Sequence, residues 1–218
     1  MSSRSRRAVA GVVLAAGAST RFASEVPKQL ASWLGETLVH RATRVASNHL
    51  DPVQVVVGHK GRDVHDAVQD LKSERVRVVH NAHWDDGLGT SVRAAVATLD
   101  ASSLSGVLFM PCDQPGIDEL VLDAMLEAWR ARDPEMRALV PKYRSSSGER
   151  RRGAPVVFDS GLFPKLGCLE GDQGGRQLLR ELGDRVVELD LPDRAVGDDI
   201  DTVEDLRRLG AKFRGETV

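Results

Sequence analysis

The chain has 218 residues and a formal net charge of −2, from 30 Lys and Arg against 32 Asp and Glu, which leaves no global electrostatic case for binding nucleic acid or an anionic membrane. With 41% hydrophobic and 28% charged residues it reads as one globular domain spanning 1–218, with residues 1–7 expected to be disordered. No stretch approaches the ~20 apolar residues of a membrane span, and Cys112 and Cys168 have no metal-ligand spacing, so a cytoplasmic chain is expected, with a disulfide between them left open.

At the amino end, Arg4, Arg6 and Arg7 precede the apolar stretch Ala8 to Ala18 in the outline of a secretory signal, but the stretch is short and rich in Ala and Gly. Ala8 to Val13 reads instead as a buried strand. Strands are predicted at Gly11–Leu14, Val53–Val57, Val76–Val79, Val107–Met110, Ala138–Val140, Pro155–Phe158 and Val186–Leu189. Between them, Leu38–Asn48, Asp63–Leu71, Ser91–Leu99, Ile117–Ala131 and Arg176–Leu182 carry apolar residues at helical spacing. Such alternation predicts a mainly parallel sheet covered on both faces. Arg144–Arg152 combines Ser-Ser-Ser-Gly with arginines and is read as a mobile loop. A last helix is predicted at Thr202–Phe213, with Thr202 as N-cap and Asp205 three residues on.

The loop after the first strand is the most informative segment. Leu14-Ala15-Ala16-Gly17-Ala18-Ser19-Thr20-Arg21-Phe22 and then Pro27-Lys28-Gln29-Leu30 stand where open α/β sheets bind ligands. Gly17 allows close backbone approach, Ser19 and Thr20 supply hydroxyls, and Arg21 and Lys28 supply cations, a set suited to a polyphosphate. The P-loop pattern and the G-x-G-x-x-G dinucleotide pattern are both missing here. Asp113, in Pro111-Cys112-Asp113-Gln114-Pro115 after an apolar run, is either a turn residue or a carboxylate able to reach a phosphate-bound Mg²⁺. Asn81 to Ser91 lies between a strand and a helix; its glycines would let the backbone approach a flat base, or Gly87–Ser91 would simply start the helix. Within it, His83 and Trp84 read as packing or surface residues. Asp199-Ile200-Asp201-Thr202 caps the last helix or places a further carboxylate.

L-A-A-G-x-S-x-R-F followed by P-K-Q-L resembles the signature of MobA- and GlmU-like nucleotidyltransferases, and the likeness runs from Val9 to about Leu209. It implies an α/β, Rossmann-like three-layer sandwich with a mostly parallel sheet and a small antiparallel appendage. It also implies that Leu14, Ala15, Ala16, Gly17, Ser19, Arg21 and Lys28 hold the triphosphate of an NTP, and that Asn81, Gly89, Thr90 and Ser91 hold its base. The terminal D-I-D-T element implies Asp201 as a second metal carboxylate beside Asp113, with Asp199 a weaker candidate. Gly153, Pro155 and Phe158, and Gly171, Asp172 and Arg176, are similar to the G-x-P-x-x-F and G-D-x-G-A-R elements of molybdenum cofactor cytidylyltransferases, which implies acceptor binding by Gly153, Pro155, Gly171, Asp172 and Arg176. Three positions depart from the pattern: Ala23 and Val203 stand where relatives have Gly and Pro, and Gly175 where Ala is common.

Within the superfamily that the chain resembles, L-A-A-G rather than L-A-G-G implies CTP, and D-Q-P, G-D-Q-G-G-R and D-I-D-T imply the branch with molybdopterin as acceptor. The expected chemistry is in-line attack by the acceptor phosphate on the α-phosphorus. Asp113 and Asp201 would hold Mg²⁺, and Arg21, Lys28 and Asp113 would be catalytic. The expected partners are an NTP, a phosphorylated small molecule and a molybdenum hydroxylase, with neither nucleic acid nor membrane. The competing expectations on the same sheet are an NAD(P)H-dependent oxidoreductase and an accessory protein that carries a cofactor.

Overall fold

A computed structural model describes residues 7–144, 150–191 and 197–215. The expectations of disorder at the amino end and of mobility in Arg144–Arg152 fall largely on residues 1–6 and 145–149, outside the described set.

Strand β1 (Ala8–Ala15) alternates its side chains between two cores, as a strand buried on both faces must. Val9, Val13 and Ala15 join one core, with helix α1 (Leu38–His49) and helix α4 (Glu119–Ala131). Ala10 and Val12 join the other, with α3 (Leu88–Val96), α5 (Phe163–Leu166) and α6 (Arg176–Leu182). β4 (Val53–Val57) is buried at every residue, which explains its unbroken run of valines and one glutamine. Gln54 is kept in by a 2.8 Å hydrogen bond from its Nε2 to Thr98 Oγ1.

β5 (Val76–His80), β6 (Leu104–Pro111), β7 (Ala138–Arg144), β8 (Arg150–Arg152), β9 (Val156–Asp159) and β10 (Val186–Asp190) complete the main sheet. Its order is β10-β7-β9-β6-β1-β4-β5, with β8 added on β7. β6-β1-β4-β5 is all parallel, whereas β9 runs antiparallel to both β6 and β7. From β1 the chain winds outward through β4 and β5, then returns to lay β6 on the other side of β1. The carboxyl ends of β1 and β6 are therefore a topological switch point, where this architecture opens a crevice.

Several predicted boundaries shift: β1 and β6 each start three residues earlier than predicted, and the expected Ser91–Leu99 helix runs from Leu88 to Val96. The expected Asp63–Leu71 helix is a short α2 (Gly61–Asp66) followed by a 3₁₀ turn at Gln69–Leu71, although Val64 and Val68 still reach the core. The expected Ile117 start moves to Glu119, because Asp118 Oδ1 accepts from Val121 N and so caps the helix. The small antiparallel appendage that the resemblance implied is the hairpin of β2 (Ser32–Trp33) and β3 (Glu36–Thr37), whose two-residue strands carry no period and so were not among the predicted strands. Its turn holds Leu34 and Gly35 at φ 48° and 96°, the positive values that a tight hairpin demands. Trp33 anchors a third core with Phe22, Ala31, Leu38, Ile200 and Leu209, which packs helix α7 (Val203–Arg214) against the arm after β1. Cys112 is buried and Cys168 exposed, and both are free thiols. No helix among the described residues is long and apolar enough to cross a membrane.

Glu36 ties the hairpin to α1. Arg44 grips both of its oxygens, at 2.8 and 3.2 Å, and His40 Nδ1 lies 3.1 Å from Oε2. The Arg44 hydrogen bonds outweigh burial and hold the carboxyl at about 2 instead of 4.5. A carboxyl depressed in this way stabilises the fold above its unfolded value, and that contribution disappears as pH falls from about 4.5 toward 2. After solvent screening the loss should be about 2 kcal/mol. Urea denaturation between pH 2 and 6 checks this: Glu36→Gln should flatten the acid limb, and an unchanged limb would remove Glu36 from the account.

Candidate functional site

Beyond β1 the chain turns sharply, and its peptide groups sort by direction. Ala15 O and Gly17 O accept from Gln29 Nε2 at 3.3 and 2.5 Å, while Ala16 O accepts from His59 N at 2.9 Å. The N–H groups of Gly17, Ala18 and Ser19 donate to no acceptor among the described residues. Successive unpartnered amides of this kind form an anion site. Ser19 and Ala23 both sit at positive φ, 54° and 47°, on either side of the 3₁₀ turn Thr20–Phe22. The second value accounts for the glycine usual after the Phe, since a Cβ there costs about 1 kcal/mol.

The arm that follows brings Lys28 back under the loop. Its ammonium lies 2.7 Å from Asp113 Oδ2 and 3.2 Å from Asp201 Oδ1, with only 11% of the side chain exposed. Burial disfavours that ammonium, but the charges and hydrogen bonds of Asp113 and Asp201 outweigh it and raise its pKa. Arg21 Nη1 reaches the other oxygen of Asp201 at 2.9 Å. Asp113 arrives from the end of β6, where Cys112 N donates to Leu14 O. Asp201 arrives because Ile200 is fully buried in the third core and its N–H donates to Asp113 O at 2.9 Å. Thr202 Oγ1 and Asp205 then form a reciprocal capping box on α7. Asp201 is thus outside the cap proper, and its carboxylate is directed at the site. Asp199 stands beside it with Oδ1 2.7 Å from Gln114 Nε2. Burial raises the Asp199 pKa, the Gln114 bond opposes this, and the charges of Asp113 and Asp201 add to the rise.

A cavity of about 260 Å³ lies under the loop, lined by Leu14, Ala15, Gly17, Ser19, Arg21, Lys28, Asp113 and Asp201 among others. It adjoins a groove of about 1140 Å³ that shares several of these residues. Phe109, Val156, Phe158, Leu166 and Leu179 line the apolar middle of the groove, and Arg152, Arg176 and Arg180 add cations. Of the predicted residues, Ala16, Ser91, Gly153, Asp172 and Arg176 also line it.

Others lie behind the wall. Asn81 is buried, donating from Nδ2 to Thr90 Oγ1 and Ser91 Oγ at 2.8 and 3.0 Å and accepting from His83 N at 3.0 Å. The single Thr90 hydroxyl proton in turn lies between the backbone carbonyls of His83 and Gly87, both within hydrogen-bond distance of Oγ1. A Cβ on Gly89 would lie 2.8 Å from Glu170 N, and one on Gly87, at φ 104°, 2.4 Å from Gly171 C. These glycines serve a close approach of two loops, and Gly89 and Gly171 do not line the groove. Pro155 is buried, with its neighbours Ala154 and Val156 on the groove wall. Gln29, Gln114, Arg152 and Arg180 were not assigned roles from sequence. Gln29 and Gln114 stood within the P-K-Q-L and D-Q-P elements without a role of their own, and Arg180 carried a signal in its i+4 spacing from Arg176 on one helix face.

The switch-point site and the sheet order put the protein in the class of Rossmann-like nucleotidyltransferase domains. It belongs to the MobA-like NTP transferase domain family, which matches residues 11–186. It is 34% identical over 207 residues to the nicotine blue oxidoreductase of Paenarthrobacter nicotinovorans, across 92% of this chain and 96% of that one. A probable molybdenum cofactor guanylyltransferase of Bacillus anthracis is 32% identical over 118 residues, so this chain spans about half of it, 55%, with 54% of its own length. Among solved structures, a Mycobacterium tuberculosis H37Rv protein in complex with manganese superposes with a TM-score of 0.71 at 28% identity, covering 93% of this chain and 97% of that one.

Proposed function

We propose that this protein transfers a nucleotidyl group from an NTP, CTP in the first instance, to a phosphate-bearing acceptor of the molybdopterin class, releasing pyrophosphate. The observation that carries this reading is the convergence of Asp113 and Asp201 on a single cation, the Lys28 ammonium, beside three unpartnered amides. Two carboxylates that close around one cation are a fitting pair of hard oxygen donors for Mg²⁺. Manganese in the mycobacterial structure supports a divalent ion in this fold. Among the described residues no cluster of three or more His, Cys, Asp or Glu could hold a metal, so phosphate oxygens and water would complete the shell. When bound, the ion would neutralise charge on the α-phosphate.

An acceptor phosphate oxygen attacks the α-phosphorus in line, and the bond from that phosphorus to the β-phosphate bridging oxygen breaks, pyrophosphate leaving with the electron pair. The chain's own contribution is position and charge. The Gly17–Ser19 amides bind the β- and γ-phosphates, and Arg21 and Lys28 turn from the carboxylates to the leaving group. Ser91 lines the groove, as does Trp84, which the sequence suggested was a packing or surface residue, and the two flank the base. Gly153, Asp172 and Arg176 hold the acceptor, together with Pro155 and Gly171 through the loops they shape. Asn81, Gly89 and Thr90 act by bracing the wall behind the base. Free thiols at Cys112 and Cys168 suit a reducing cytoplasm, and a molybdenum hydroxylase would receive the product.

A second reading rests on one observation, the name of the Paenarthrobacter relative: the groove would hold a nicotinamide dinucleotide for reduction of an organic substrate. The Bacillus anthracis relative favours GTP as the competing nucleotide. Pyrophosphate release measured across CTP, GTP and ATP with molybdopterin, and melting-temperature shifts with these and NAD(P)H with and without Mg²⁺, separate the three. The expected result is metal-dependent release with CTP. Stabilisation by NAD(P)H alone, independent of metal and with no release from any NTP, would sink the transferase reading.

A further inference from the structure

We infer that Gln29 is a positioning residue that sets the anion-binding power of the loop at Gly17–Ser19, by holding the loop's carbonyls away from the phosphate site. The inference rests on the reading of this loop as the triphosphate grip, and it adds a part which no cation or carboxylate of the site supplies.

An amide can face an anion only if the carbonyls next to it face elsewhere, and a carbonyl turned inward needs a donor. Gln29 is 3% exposed and spends its two N–H bonds on Gly17 O at 2.5 Å and Ala15 O at 3.3 Å. The intervening Ala16 O is taken by the His59 backbone N–H. The side chain therefore brackets the turn, holding the first and third of three successive carbonyls. Its own Oε1 is buried with no partner, so nothing at that end selects the orientation of the amide. The two loop carbonyls select it: reversed, Oε1 would face two acceptors and repel both. Gln29 also follows Lys28 directly, so clamping the loop and delivering the ammonium to Asp113 and Asp201 depend on the same 3₁₀ turn, Lys28–Leu30.

Gln29→Met keeps the length and removes the donors, and Gln29→Glu keeps the shape and substitutes a carboxylate that repels both carbonyls. With pyrophosphate as the probe, calorimetry should show binding weakened about tenfold or more in both, the size expected for losing aligned amides. In turnover, KM for the NTP should rise in step while kcat and the KM for the acceptor stay within about threefold, since binding common to ground and transition states is what is lost. A purely structural role would instead lower the active fraction, reducing kcat and leaving both KM values alone. Well-folded variants that bind pyrophosphate within about twofold of the unaltered protein would overturn the inference. Should neither variant fold, the unaltered protein still decides. The Gln29 side-chain amide protons must be strongly protected from solvent exchange in NMR spectra, and exchange as fast as an exposed glutamine's rejects the clamp. Unaltered protein that fails to bind pyrophosphate at all refutes the triphosphate reading instead, and the exchange measurement continues to judge Gln29 by itself.

Discussion

Replacing Asp113 by Asn is expected to cut pyrophosphate release by at least about a thousandfold while leaving the protein folded. The side chain is replaced by a neutral isostere, so the hard-oxygen pair that suits a divalent ion becomes a single carboxylate. The backbone role is untouched, because Asp113 anchors Ile200 through its carbonyl oxygen, not its side chain. Lys28 keeps Asp201 at 3.2 Å as a partner, so no buried charge is orphaned. The measurement is coupled pyrophosphate detection over a Mg²⁺ titration, with near-ultraviolet circular dichroism to confirm the fold. Turnover at anything near the original rate would show that Asp113 does not carry the metal.

Replacing Lys28 by Met is expected to act in two opposite directions. Turnover should fall about a hundredfold or more, because the cation meant for the leaving group is gone. Binding of Mn²⁺ without nucleotide should tighten about tenfold. In the free protein the Lys28 ammonium occupies the space between Asp113 Oδ2 and Asp201 Oδ1, so a divalent ion there must displace it. Removing a unit charge some 3 Å from both oxygens also removes its repulsion toward the incoming ion. The same substitution leaves Asp201 paired with Arg21 and removes the ion pair of Asp113 with Lys28, so the melting temperature should fall and Mn²⁺ should restore it. Electron paramagnetic resonance titration of free Mn²⁺ reads the affinity directly. Equal affinity in both proteins would mean that the ammonium and the metal do not share a place. On the proposed mechanism the metal would enter most readily as its NTP complex, whose triphosphate would offer Lys28 and Arg21 a new partner as they leave the carboxylates.

Much of the site was legible because its chemistry is local. Gly17, Ser19, Arg21 and Lys28 fall within twelve residues, directly after an apolar strand, and a glycine, hydroxyls and cations in that order are a set suited to a phosphate. The predicted strands form for a local reason too: the central ones, β1, β4 and β6, are apolar runs buried on both faces, while the edge strands β5 and β10 are shorter apolar runs that are only partly buried. What failed to show was whatever depended on an approach between distant segments. The glycines at 87 and 89 fitted either a base or a helix start in the sequence reading; they open α3, and they also make room for the backbone of Glu170 and Gly171, some eighty residues on, which no local pattern shows. Asn81 and Thr90 turned inward with them. The β2–β3 hairpin was too short for any period to reveal, though it holds Trp33 and, through it, the core in which Ile200 seats.

By itself the sequence determined the class of sheet, the loop after β1 with its glycine, hydroxyls and cations, and the carboxylates available beside it, because burial patterns and backbone chemistry are properties of short segments. Tertiary structure alone decided which of those residues meet. Lys28 and Asp201 are 173 positions apart, and they converge only because Ile200 is buried beneath the arm after β1. It alone decided, too, that Gln29 turns its amide onto the loop: two inward-facing carbonyls require a donor, and which side chain supplies it depends on how the chain folds back.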